Sequence, residues 1–154
     1  MHEPAPAALA MVDRVRMTVE TVIPMDEVYI VEIVVRGRQG SRLIEVFLDS
    51  DEGVGLDHLA SYSREVGFLL EAEEIVKGHY RLNVSSPGAD RPIRLPRQMK
   101  KHVGRKLAVT GIEGDSVVGF LEAADDDGIT LKKGKEKVKL AFETIQEARV
   151  VLPW

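Results

Sequence analysis

With 154 residues, 44% hydrophobic and 30% charged, the chain has enough apolar material for one ordinary domain or two small ones, each near the lower limit for an independent core. The absence of cysteine excludes disulfides, thiolate nucleophiles and cysteine-ligated zinc, and fits a reducing cytosol. A net charge of -4 argues against a general polyanion binder and confines any nucleic-acid contact to a local basic surface.

The first expected element is a helix. Leu9, Val12, Val15, Val19, Val22 and Ile23 recur at steps of three or four, one helical stripe, and Pro24 sets the stop. The apolar run at 5–12 lies between Glu3 and Asp13 without a basic lead, so it is read as neither signal peptide nor membrane span, and the protein is expected in the cytoplasm. A strand follows at 28–36, with Tyr29, Val31, Ile33 and Val35 on one face and Val28, Ile30, Glu32 and Val34 on the other. The loop at 37–41 is long enough for a hairpin to a second strand at 42–49. The acidic turn at 49–55 lacks the alternating ligands of a calcium loop and reads as a solvated turn with its carboxylates near a helix N-terminus. Leu56, Leu59, Ala60, Val66, Gly67 and Leu70 form the stripe of that second helix. A third strand starts at Tyr80, where Tyr80, Leu82 and Val84 alternate with Arg81, Asn83 and Ser85. Because a helix separates the second and third strands, the two are expected to pair in parallel through a right-handed crossover.

The third strand runs into Ser85, Ser86, Pro87, Gly88, Ala89, Asp90, Arg91 and Pro92, the centre of the chain's organisation. Proline presets the second position of a turn and glycine accepts a left-handed third, so 86–89 reads as a type II turn; Pro92 then holds Arg91 extended. One packed unit ends here and another begins. Residues 1–91 carry 9 Lys+Arg against 16 Asp+Glu, a charge of -7, whereas residues 92–154 carry 12 against 9, or +3.

Two runs carry a family resemblance. Ile44-Glu45-Val46-Phe47-Leu48-Asp49-Ser50 with its acidic-glycine turn, and Tyr80-Arg81-Leu82-Asn83-Val84-Ser85-Ser86-Pro87-Gly88-Ala89-Asp90-Arg91-Pro92-Ile93, resemble the bacterial ribosome maturation factor family RimP. Ala89 and Asn83 stand where leucine and glutamate are more usual, Gly55 where a polar helix cap is, and His58 where a cysteine is frequent. The resemblance implies an α+β chain: an N-terminal α/β domain (helix, hairpin, helix, strand) at 1–91 and a small C-terminal Sm/SH3-like β-barrel at 104–154. It also implies noncatalytic binding to the small ribosomal subunit during assembly, near ribosomal protein S-twelve and the adjoining rRNA.

Between the domains, 92–103 is expected to be a basic linker with a short helix. From Arg91 to Lys106, Arg91, Arg94, Arg97, Lys100, Lys101, Arg105 and Lys106 occur without a carboxylate. Pro96 suits the first turn and Gly104 a left-handed exit. Leu95, Met99 and Val103 lie four apart on the face expected to dock, which leaves Arg97, Lys100 and Lys101 opposite, open to phosphate or serving only solubility and the helix dipole. Asp90 and Arg91 are read as an interdomain tether. Beyond Gly104, strands at 105–110, 116–123, 129–133, 138–142 and 148–152 fit a closed or half-open barrel. Lys132, Lys133, Lys135, Lys137 and Lys139 form a second basic cluster, with alternation placing the last three on one side of a ribbon for phosphate contact or edge protection.

No catalytic, cofactor or metal constellation stands out. Ser86-Pro87-Gly88 lacks a nucleophile-elbow pattern, so Ser85 and Ser86 are expected to satisfy backbone groups at the strand end. His2, His58, His79 and His102 show no metal spacing, 125–128 reads as a hairpin, and Gly37, Gly40, Gly53 and Gly55 form no nucleotide loop. A monomeric assembly factor is expected, with the acidic domain toward a basic ribosomal protein and the basic segments toward rRNA. An Sm-like binder of free RNA is the alternative, against which the barrel offers only Phe120, Phe142 and Trp154 as stacking platforms.

Overall fold

The computed structural model describes residues 6–88 and 91–152, with backbone alone at 6–9. The chain divides into two compact units, Met1–Ser86 and Pro87–Trp154. Among the described residues, no helix is long and apolar enough to cross a membrane.

The first unit comprises α1 (Pro6–Val22), β1 (Tyr29–Arg36), β2 (Arg42–Asp49), α2 (Leu56–Ala72) and β3 (Tyr80–Ser85). The three strands lie in the order β1-β2-β3, with β1 antiparallel and β3 parallel to β2. Val15 and Val19 of α1 and Leu59, Val66 and Leu70 of α2 share one core with Ile44, Val46 and Leu48 of β2. Such side chains contribute roughly 1.5–3 kcal/mol each when fully buried. Pro24 ends the first helical stretch as its carbonyl accepts from the N–H groups of Glu27 and Val28.

The faces of β1 differ from simple alternation. Val28 and Ile33 are buried, Ile30 and Val35 pack against the same core, and the register shifts between Ile30 and Glu32. Val31 is thus the extra residue of a β-bulge, which changes the phase so that even-numbered core positions give way to odd-numbered ones. In α2, Leu56 is 84% exposed and Ala60 is also exposed, although the periodic stripe includes both. The first turn has only Gly55 before it and no side-chain cap. In the acidic turn Asp51 and Glu52 are exposed, but Asp49 is buried and accepts from the Ser50 N–H at 2.9 Å, so this carboxylate is not solvated.

The second unit holds the 3-10 helix Pro96–His102 and strands β4 (Lys106–Gly111), β5 (Ser116–Ala124), β6 (Gly128–Lys133), β7 (Glu136–Ala141) and β8 (Ile145–Val150), with a further 3-10 turn at Phe142–Thr144. All pairings are antiparallel in the order β7-β6-β5-β4-β8. Among the described residues no ladder joins β7 to β8, so the sheet is not closed into a barrel. Leu107, Val109, Leu121, Ile129, Leu131 and Ala148 cover its inner face, together with Met99 from the 3-10 helix. The Ile93 N–H donates to the Ala148 carbonyl at 2.8 Å. The segment set apart in sequence as a linker therefore packs within the second unit. The chain thus has helices and strands mixed in the first unit and an antiparallel sheet in the second, an α+β arrangement.

Candidate nucleic-acid interface

The short basic helix has three residues per turn, and this changes which side chains face inward. Gln98 and Met99 are each 3% exposed, whereas Val103, expected on the docking face from an α-helical step of four, is 48% exposed. Gln98 Oε1 accepts from the backbone N–H groups of Arg94 and Leu95, both at 2.9 Å, satisfying donors that the start of a helix leaves orphaned. Gly104 has φ 93°, the expected left-handed exit, and its N–H donates to the Leu121 carbonyl. The basic side is not simply open: Arg91, Arg94, Arg97 and Lys101 each take part in an interaction within the chain. Lys100 adds a small favourable charge interaction with the Asp125 carboxylate.

Antiparallel register assembles a different surface. Lys106 lies opposite Phe120, Phe120 opposite Lys132, and Lys132 opposite Lys137, a row crossing four strands. Directly paired residues point to the same side with Cβ atoms roughly 4.5–5.5 Å apart. Their neighbours Leu107, Leu121 and Leu131 are buried, so the row occupies the outer face. The Phe120 side chain is 54% exposed and Val118 beside it 41%, while Lys106, Lys132 and Lys137 are exposed. Lys137 pairs with Glu122 at 3.2 Å; among the described residues Lys106 and Lys132 have no ion-pair partner. The surface offers an aromatic face between cations.

Register also separates the sequence's second basic cluster. Lys139, opposite Thr130, shares the outer face, but Lys135 occupies the turn before β7, and Lys133 alternates away from Lys132. Arg105 is exposed just before β4. The segment 125–128 is a hairpin turn whose Asp125 Oδ1 accepts from the N–H groups of Asp127 and Gly128 at 2.8 and 3.0 Å. These bonds, Asp127 first, hold the Asp125 carboxyl below its ordinary range, with Lys139 and Lys100 assisting.

The central motif is described in part. Ser85 ends β3 opposite Phe47, Pro87 is half-buried, and the Arg91 N–H donates to the Gly88 carbonyl at 3.1 Å. Asp90, and with it the Ala89 end of the expected turn, lies outside the described residues. Neither Ser85 nor Ser86 makes a side-chain hydrogen bond among the described residues, contrary to the backbone role expected of them; Ser86 is exposed to water, which can serve instead. Phe120 was visible in sequence as one of three candidate stacking platforms, with Phe142 and Trp154. Its lysine neighbours come from three other strands, a juxtaposition that linear spacing does not reveal.

A model of the RimP N-terminal domain matches residues 18–90. Ribosome maturation factor RimP of Cytophaga hutchinsonii is 34% identical over 114 residues, 73% of this chain and 68% of that protein. With the first unit matched through the central motif and similarity extending across most of its length, this chain belongs to the RimP family.

Proposed function

We propose that the chain is a ribosome maturation factor that binds the immature small ribosomal subunit in the cytoplasm as a monomer and assists assembly by holding it, without catalysis. The acidic domain, 1–91, faces a basic partner, ribosomal protein S-twelve, and the positively charged remainder faces nearby rRNA. On this reading the five-stranded sheet is a half-open Sm/SH3-like barrel at 104–154. Its fifth strand returning beside the first supports that reading. The segment 92–103 is the basic connector, and Ser85, Ser86, Pro87, Gly88, Asp90, Arg91 and Pro92 form the interdomain tether.

The observation that carries the rRNA contact is the exposed Phe120 ring between Lys106 and Lys132. An unpaired base stacked on such a ring contributes roughly 1–3 kcal/mol, and each phosphate neutralised by a flanking lysine contributes to salt dependence. Lys137 extends this surface; Arg94, Arg97, Lys100, Lys101, Arg105, Lys133 and Lys135 supply further contacts outside the row. Cosedimentation with immature small subunits across a salt series tests the proposal. Phe120→Ala should weaken binding by about 1–3 kcal/mol, and Lys106→Gln and Lys132→Gln should each lower the salt slope by roughly 0.7–0.9. A flat salt response with full binding by all three variants refutes it.

A further inference from the structure

The acidic first unit contains a pocket lined by three basic side chains among apolar ones. Arg14 from α1, Gln39 and Arg42 from the β1–β2 hairpin, and Lys77 from the segment after α2 surround a cavity of about 290 Å³, completed by Ala10, Met11 and Ile75. Among the described residues, no carboxylate contributes to this lining. Arg42 donates through one terminal nitrogen to the Gly37 carbonyl at 3.3 Å, but its Nε is buried without a hydrogen-bond partner among the described residues. The loops bearing Gln39 and Lys77 meet backbone to backbone: a Cβ at Gly78 would lie 3.0 Å from both Cα and N of Gly40, and Gly78 has φ 76°. The convergence of side chains from three elements is therefore built by the fold.

We infer that this pocket binds a phosphate group. Three cations lining one pocket in a unit of net negative charge repel one another until an anion enters. A phosphate monoester carries about -1.5 to -2 charge and three acceptor oxygens, and free phosphate is alike in charge, a closer match to two guanidinium groups and an ammonium than a single carboxylate provides; a backbone phosphodiester brings a single charge and two free oxygens. The cavity is near the lower end of the roughly 300–1,000 Å³ range of small-molecule clefts, which suits a phosphate with little attached. The group can come from free phosphate or from an RNA backbone.

Amide NMR of the full chain during titration with inorganic phosphate tests the inference. Saturable shifts should centre on Met11, Gly40, Arg42 and Gly78, and Arg14→Gln or Lys77→Gln, both at exposed positions, should weaken binding about tenfold or more. Competition by a uridine hexanucleotide would assign the source to an RNA backbone; phosphate binding without such competition would assign it to free phosphate, and either result supports the site. Unsaturable shifts, shifts spread among the second unit's lysines, unchanged phosphate binding by both Arg14→Gln and Lys77→Gln, or binding of a glutamate-rich peptide in place of phosphate would overturn it. Each readout is separate from subunit cosedimentation, so failure at this pocket does not decide the ribosomal role.

Discussion

Gln98→Ala is expected to loosen the start of the basic 3-10 helix. The wild-type side chain is 3% exposed, and one oxygen accepts two backbone N–H groups, from Arg94 and Leu95. Alanine orphans both donors. At roughly 1–3 kcal/mol for each unsatisfied buried donor, and with this site only partly shielded from water, the combined loss is about 2–4 kcal/mol. Small domains have total stabilities of about 5–15 kcal/mol, so the loss should be large enough to follow by urea unfolding. With a urea dependence of about 1–3 kcal/mol per molar, the midpoint should fall by about 0.7–4 M, read from amides in the second unit. Hydrogen exchange should accelerate first at Arg94 and Leu95. Gln98→Glu keeps an acceptor oxygen in the place of Oε1 at similar volume and should preserve more of that protection than alanine does. The reasoning fails if Gln98→Ala leaves both midpoint and exchange unchanged, or if Gln98→Glu loses as much protection as Gln98→Ala.

Asp125 has a carboxyl pKa below its ordinary value of 3.8 in the folded chain, so its charged form stabilises the fold above that value and this contribution is lost as pH falls through the folded value. Acid unfolding monitored at the 125–128 turn should therefore be less steep in Asp125→Asn; an unchanged profile would remove this carboxyl as a cause. Gly119→Ala places a Cβ 2.9 Å from the Lys132 carbonyl oxygen and should cost about 1–3 kcal/mol, measured by urea unfolding. Deleting Val31 should be tolerated better than deleting Val34 in thermal melts. Removal of the bulge residue leaves Val28, Ile30, Ile33 and Val35 in one alternating phase, whereas removal of Val34 turns Val35 away from Ile33. Equal melting losses would refute the assigned bulge.

The strongest periodic signals determined the elements that sequence could reveal. The valines of α1, the parallel pairing implied by a helix between β2 and β3, and the five short strands after Gly104 all depend on local periodicity or short-range connection. The errors arise where one residue changes the phase or where the helix type changes the turn. Val31 moves the later core residues of β1 onto the other numerical parity, and the 3-10 geometry brings Gln98 inward while leaving Val103 exposed. Gln98 is polar, so hydrophobic periodicity passes over it even though its amide closes the helix start.

Charge was legible as an amount and much less as a surface. The run from Arg91 to Lys106 contains seven cations and no carboxylate, but Arg91, Arg94, Arg97 and Lys101 already interact within the chain. Its last member, Lys106, belongs instead to a cross-strand row with Phe120 and Lys132. A side chain already held by an internal partner must exchange that interaction to meet phosphate, whereas Lys106 and Lys132 have no ion-pair partner among the described residues to displace. On the proposed function the outer sheet is therefore the better-prepared surface for phosphate, although it has the weaker linear charge signal. In Arg14, Arg42 and Lys77 the same relation holds across a unit of opposite net charge: three-dimensional convergence can create an anion site where composition points away from one.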